Sequence, residues 1–356
     1  MRFTYLLLCA NIGLSVGCSD FLMSHDCSSS HCLSVRTMDL GEGPSFRLQT
    51  WPRGTVVLLQ QASKFGAIVS LGANMSRKGH ELREDVVYAG LNEAGLSCDL
   101  HALLNSSYPL PSNSSRDLHL HYFCNWALSN FGTAKEVKAG LLEGAVHLWG
   151  VGGAAGVHFI VRDRMGQGVV VEFMERTTKV YEDNNDNGQT GYGVFTNEPE
   201  YPWHIANVKH YLWKQSLARP ATALPGAFYP DERFLRIHLI KSSMPKPSSY
   251  QEAMEQALHV LNTVTVPMGQ QMGTDSGFGE GLADHTHWGH VYDHKAAVLY
   301  WRTQGNLQLQ RVELTDALVG MKAVPKSLAY VNTLPWYNDA THAFGNAATV
   351  LTPTFL

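Results

Sequence analysis

Short apolar runs punctuated by Gly, Ser and Pro fill the early part of the chain: Phe21-Leu22-Met23, Leu33-Ser34-Val35, Thr55-Val56-Val57-Leu58-Leu59 and Gly66-Ala67-Ile68-Val69-Ser70-Leu71. Runs of this length, bounded by turn-forming residues, predict β-strands. The segment from Tyr88 to Leu96 continues them, and Asn92 to Gly95 within it suits a turn between two strands. Residues 117–130 and 133–145 suit two helices, with Asp117 and Thr133 as caps. Val157 to Val161 and Val169 to Phe173 predict a hairpin that turns through Asp163 and Gly166. Tyr250 to Asn262 predicts a further helix, and Thr286 to Asp293, Ala297 to Trp301 and Leu307 to Val312 predict closing strands. Many short strands with few helical stretches point to an α+β protein.

Ahead of these elements, Met1-Arg2 leads into a largely apolar run from Tyr5 to Val16, with the small residues Ser15 and Gly17 just before Cys18. A basic start, a short hydrophobic core and a small-residue cleavage site predict a secretory leader over 1–17 and a single domain over 18–356. The run is too short to span a bilayer. Two other readings are a buried first strand and a lipoprotein leader with Cys18 acylated, although Ser15 stands where Leu is usual for the latter. Three N-glycosylation acceptors, Asn74-Met75-Ser76, Asn105-Ser106-Ser107 and Asn113-Ser114-Ser115, lean towards a secreted or lysosomal location.

Cys9 belongs to the leader, which leaves Cys18, Cys27, Cys32, Cys98 and Cys124. With Cys18 free, the other four form two disulfides; Cys27 with Cys32 and Cys98 with Cys124 is the preferred one of three pairings. A length of 356 residues allows a large core, while a net charge of −4 without any Lys/Arg run gives no footprint for nucleic acid.

Cleavage after Gly17 would place a thiol and a free α-amine on one residue. In model peptides the thiol titrates at about 8.5 and the amine at about 7.7–8.0, so the amine can take the thiol proton near neutral pH. Arg36 in the cluster Arg36-Thr37-Met38-Asp39 is expected to push the thiol towards thiolate, and Asp39 to orient the ammonium.

Other polar clusters read as structure. His119 and His121 lack a third ligand nearby and suit a helix surface. His285, His287, His290 and His294 fall on or beside a strand pattern. Asp183-Asn184-Asn185-Asp186-Asn187-Gly188 opens like an EF-hand loop, but Val194 occupies the twelfth position, so a polar turn is expected. Neither a metal nor a cofactor is called for.

Cys18, Arg36-Thr37-Met38-Asp39 and the segment from Gly90 to Leu96 together resemble the choloylglycine hydrolase and penicillin V acylase family of N-terminal nucleophile hydrolases. Asp20 departs from that family's usual start. Gly193-Val194-Phe195-Thr196-Asn197-Glu198-Pro199 is similar to the family's Thr-Asn-x-Pro stretch, which implies an oxyanion role for Asn197. Within Leu224 to Arg236, Arg233 takes the position of the family's active-site arginine and Arg236 a structural one. A backbone N–H in the segment after Gly95 is expected to aid Asn197, and the side chain that also contributes in relatives aligns with His101 or Ala102, neither of them the usual residue.

The resemblance implies a four-layer αββα sandwich and a hydrolase of linear amides that needs no cofactor. Its catalytic set would be Cys18, Arg36, Asp39, Asn197 and Arg233, acting through a Cys18 thioester. The implied substrates, such as bile-salt conjugates, penicillin V or N-acyl amines, are small amides with an apolar acyl part. The stretch between Trp203 and Leu224 is shorter than the loop that holds some members together as tetramers, so a homo-oligomer stays open. Two alternatives are a secreted, glycosylated binding protein without activity and an acid ceramidase-like N-acylethanolamine amidase. The first leaves the joint presence of these five residue types without a physical purpose.

Overall fold

A hairpin with both faces covered starts the described chain. The structure, a computed structural model, describes residues 17–23, 27, 31–40, 45–58, 61–73, 76–77, 80–81, 86–151, 156–217, 224–269, 285–330 and 335–338. All of the expected leader except Gly17, the acceptor Asn74, and Leu59 of one expected strand lie outside these residues.

In chain order the main strands begin with β1 (Cys18–Leu22), β2 (Leu33–Leu40), β3 (Ser45–Trp51), β4 (Ala67–Ala73), β5 (Val87–Asn92) and β6 (Ser97–Ala102). Helices α1 (Phe123–Asn130) and α2 (Ala134–Leu142) follow, then β7 (Val157–Arg162), β8 (Gly168–Met174), β9 (Thr177–Glu182) and β10 (Val194–Phe195). Three helices, α3 (Tyr201–Leu217), α4 (Pro230–Ser243) and α5 (Tyr250–Val264), precede β11 (His285–Asp293), β12 (Val298–Thr303), β13 (Asn306–Glu313) and β14 (Ser327–Ala329).

These strands form two antiparallel sheets. One is six-stranded in the order β10-β1-β2-β11-β12-β13, the other eight-stranded in the order β9-β8-β7-β6-β5-β4-β3-β14. Helices α1 and α2 pack on the larger sheet, and α4 and α5 on the smaller, so the layers run αββα as the resemblance implies. Every residue of β1 and β2 is buried, because helices cover one face of their sheet and the second sheet covers the other. Two buried ion pairs cross between the sheets, Arg36 Nε to Asp99 Oδ1 at 3.1 Å and Arg162 Nε to Asp20 Oδ1 at 2.6 Å. Asp20 is therefore an inter-sheet anchor, and Asp183 completes its site 2.9 Å from Arg162 Nη2.

Local sequence signals account for several boundaries. Gly95 closes the β5–β6 turn at φ +86°, and a Cβ there would meet the His294 carbonyl oxygen at 2.0 Å. Thr133 and Glu136 form a capping box at the start of α2. Among the described residues the free cysteine is Cys18, with disulfides joining Cys27 to Cys32 and Cys98 to Cys124. The four late histidines do lie on or just after β11: His294 bonds Ser34 Oγ and the Gly95 carbonyl, and His290 bonds the Tyr292 and Tyr330 hydroxyls.

One expectation fails over the first residues of the 117–130 helix. Asp117–His119 is a strand paired in parallel with His147–Trp149, a single 3-10 turn follows over Leu120–Tyr122, and the helix starts only at Phe123. Asp117 does not cap it. Its carboxylate accepts from the Ser112 hydroxyl and, at 2.8 Å, from the Asn113 amide, closing the preceding turn instead. His119 and His121 consequently leave the helix surface, and their rings lie 4.9 Å apart, both half-buried.

Candidate active site

The β1–β2 register sets Cys18 opposite Met38 and Ser19 opposite Thr37. Side chains alternate across a strand, so neighbours face opposite layers. Cys18 packs with Met38, Leu100 and Trp288 on the side of the larger sheet, whereas Ser19 turns to Arg233 on the helix side. Three positions separate Arg36 from Asp39, and they too face opposite layers. Arg36 reaches across to Asp99 and donates to the Leu100 carbonyl at 2.6 Å with its guanidinium 4.7 Å over the Trp288 ring. Asp39 points towards α4 and α5, where Oδ1 accepts from Thr286 Oγ1 at 2.6 Å and Oδ2 from Thr37 Oγ1 at 3.1 Å.

Arg233 enters from the first turn of α4, which opens with Pro230 at the position where a missing N–H does no harm. Its guanidinium is fully buried and its donors are spent on defined acceptors. Nη1 donates to the Cys18 carbonyl at 2.6 Å and to Ser19 Oγ at 2.7 Å, Nη2 to Asn197 Oδ1 at 2.8 Å, and Nε to the Phe228 carbonyl at 2.8 Å. Asn197 Oδ1 also accepts the Cys18 backbone N–H at 2.7 Å, and Asn197 Nδ2 donates to the Ala102 carbonyl at 2.9 Å. The geometry thus converges four of the expected residues, Cys18, Asp39, Asn197 and Arg233, with Arg36 beneath the thiol. Arg236 sits apart and binds the carbonyls of Thr263, Pro225 and Ala227, a structural position.

Gly17 lies in the same pocket. A Cβ built on it would come 3.1 Å from Asp39 Oδ2 and 3.4 Å from Arg233 Nη2, so a larger residue would press on both.

Arg36 acts on the thiol in the expected direction, but burial outweighs it. Burial, the largest effect, raises the Cys18 pKa; Arg36 pulls it down, Asp39 pushes it up, and a hydrogen bond from the Asp39 backbone and the Arg233 charge lower it, without offsetting burial. Cys18 therefore rests as a thiol. Arg36 alone does not make it a thiolate, because removing the charged form from water outweighs one cation nearby. Burial also raises Asp39, to about 6, against the opposing pull of Arg233 and the hydrogen bonds from Thr286 and Thr37.

Several supporting groups carry no signal in the chain's periodicity. His204 stacks on Phe234 with ring centroids 4.6 Å apart, and its Nε2 lies 3.1 Å from the Asn197 carbonyl oxygen. His158 bridges Glu172, at 3.0 Å, to the Thr196 carbonyl, also at 3.0 Å, and holds the residue before Asn197. Of the other supporting groups, Thr286 and Trp288 fall within the strand motif of β11, but Asp99 has no such cue.

His101 and Ala102 turn their backbone groups to opposite edges of β6. Leu103 N donates to the Gly156 carbonyl at 2.8 Å, towards β7, so Ala102 turns its backbone groups to the opposite edge, where its carbonyl meets Asn197. His101 is buried against the rings of Phe195 and His158, at 4.8 and 6.1 Å, and burial holds its pKa well below the usual range.

The sequence pattern of the linear amide C–N hydrolases, choloylglycine hydrolase family, matches residues 18–324. The chain belongs to the choloylglycine hydrolase family. It is a hydrolase of carbon–nitrogen bonds in linear amides. Among curated relatives, the bile salt hydrolase/transferase of Clostridium perfringens is 25% identical over 247 residues, covering 63% of this chain and 71% of that protein. Penicillin V acylase from Agrobacterium tumefaciens superposes with a TM-score of 0.70 at 22% identity, over 87% of this chain and 90% of that one. A variant of conjugated bile acid hydrolase from Clostridium perfringens gives 0.71 at 21% identity, over 90% of this chain and 99% of that one. At such identities these structures speak for the fold, the four-layer sandwich of the N-terminal nucleophile hydrolases.

Proposed function

We propose that this family member, cut between Gly17 and Cys18, hydrolyses a small N-acyl amide through a thioester on Cys18. The observation that carries the reading is the grip on one residue: Asn197 Oδ1 holds its backbone nitrogen at 2.7 Å and Arg233 its carbonyl at 2.6 Å. Cleavage would turn that nitrogen into an α-amine already seated beside the thiol. Two buried guanidiniums nearby disfavour the ammonium, which suits the amine to act as base.

In the first step the amine takes the S–H proton while Sγ bonds to the amide carbon, and the carbonyl π electrons move to oxygen. Two donors suit that oxyanion: the second hydrogen of Asn197 Nδ2 and the backbone N–H of Ala102, on the edge that faces Asn197. Collapse breaks the C–N bond, and the ammonium returns its proton to the departing amine. Water then attacks the thioester, giving its proton to the α-amine. The acid leaves, and Sγ regains the proton.

The three named relatives are a bile salt hydrolase/transferase, a conjugated bile acid hydrolase and a penicillin V acylase, and we assign this chain a substrate of the same kind: a linear amide with an apolar acyl part. A secreted or lysosomal location follows from the leader. The decisive experiment is mass spectrometry of the purified protein before and after acid quench with a slow N-acyl substrate. A mature start at Cys18 and an acyl adduct on that residue are expected; an unprocessed or acylated amine, or an adduct elsewhere, would sink the mechanism.

A further inference from the structure

We infer that the outer face of α3 is a docking surface for an anionic lipid membrane. The helix carries two largely apolar stripes on opposite sides, each interrupted by one histidine. Tyr201, His204 and Val208 are buried against the protein. On the other side Trp203, Ala206, His210, Trp213 and Leu217 recur at steps of three and four residues, and all five are exposed, Trp213 by 58% and Leu217 by 68%. At about 100° per residue, these five positions fall within roughly 80° of one another and nearly opposite the buried stripe. A helix that exposes such a seam to water leaves it without the burial that normally stabilises it.

Charge selects the occupant. Lys209 and Lys214 are exposed and flank the seam, one on each side, at about 70° from its centre. No Asp or Glu occurs anywhere from Tyr201 to Leu217. A second copy of the same helix would bring Lys against Lys with no carboxylate to answer it. An anionic headgroup layer answers both cations, lets their stems lie along the apolar seam, and takes Trp and Leu at the headgroup boundary. The helix is not long and apolar enough to cross a bilayer, so it would lie in the interface plane. Its first turn is tied to the catalytic region, since the Tyr201 N–H bonds both Glu172 oxygens at 3.0 and 3.1 Å and His204 reaches Asn197. Docking would therefore set the site beside a lipid surface.

The test is cosedimentation of the purified protein with vesicles of phosphatidylcholine alone and with added phosphatidylserine. Binding to the anionic vesicles, weakened by salt, is expected. The double variant Trp213→Ser/Leu217→Ser and, separately, Lys209→Glu/Lys214→Glu should each lower that binding at least about tenfold. Neither pair touches the site, so hydrolysis of a water-soluble amide should be unchanged in both, which also reports intact folding. Equal partitioning of the wild type to both vesicle types, or binding that survives both variants, would overturn the assignment. So would concentration-dependent dimerisation in analytical ultracentrifugation that the Trp213→Ser/Leu217→Ser variant abolishes while vesicle binding is absent, since the face would then belong to a second copy.

Discussion

Asn197 Oδ1 lies 2.7 Å from the backbone nitrogen of Cys18, across 179 positions of sequence. The amide oxygen accepts from Cys18, one hydrogen of the amide nitrogen goes to the Ala102 carbonyl, and the other is left for the oxyanion contact proposed above. Replacing Asn197 with Ala should lower kcat by about 10²–10³ if the oxyanion contact dominates. Steady-state kinetics would show it. A change confined to KM would indicate that the residue only binds the ground state.

Arg233 serves three groups of the site and one carbonyl outside it with a planar fork that lysine cannot copy. Arg233→Lys keeps the charge and loses the geometry. We expect at least a tenfold fall in kcat and, from buried acceptors left without a donor, about 1–3 kcal/mol of lost stability. Chemical denaturation alongside kinetics separates the two; unchanged values in both would show that charge alone matters there.

Asp39 titrates at about 6 in the folded protein, above the usual carboxylate value, with burial as the leading cause. The folded state therefore binds this proton more tightly than the unfolded chain, and the native protein loses stability as pH rises from about 4 to 6. Asp39→Asn has no such proton to lose. Its stability relative to the wild type should improve across that window, by up to about 3 kcal/mol, while amide hydrolysis falls. Urea titrations at pH 4 and 7 would check this; a constant difference between the proteins would refute the raised value.

Gly17 fits where a Cβ would sit 3.1 Å from Asp39 Oδ2. Gly17→Val should therefore slow removal of the leader, seen as unprocessed chain in intact-mass spectra of the expressed protein. Processing at the wild-type rate would mean that this pocket takes no part in the cut.

How much was legible beforehand depended on range. The capping box at Thr133, the turn at Gly95 and the hairpin over 157–174 rest on contacts within a few residues, and each appears where the pattern places it. Asp117 misled because its carboxylate had two local uses, capping a helix or closing a turn, and pairing with His147–Trp149 settled which. His204 and Asp99 gave no cue, since a buried histidine stacked on Phe234 and an aspartate facing Arg36 look like any others until the layers are assembled.

By itself the chain's sequence determined the strand-rich pattern, the turns, and the chemistry gathered near position 18: a thiol, a guanidinium and a carboxylate within about two dozen residues. Tertiary structure decided the rest. It turned Arg36 and Asp39 to opposite layers, kept the thiol protonated by burying it, and showed which atom of Asn197 faces Cys18. The reason is physical: periodicity and capping are set by sterics between near neighbours, whereas protonation and hydrogen-bond direction follow from which distant surfaces exclude water together.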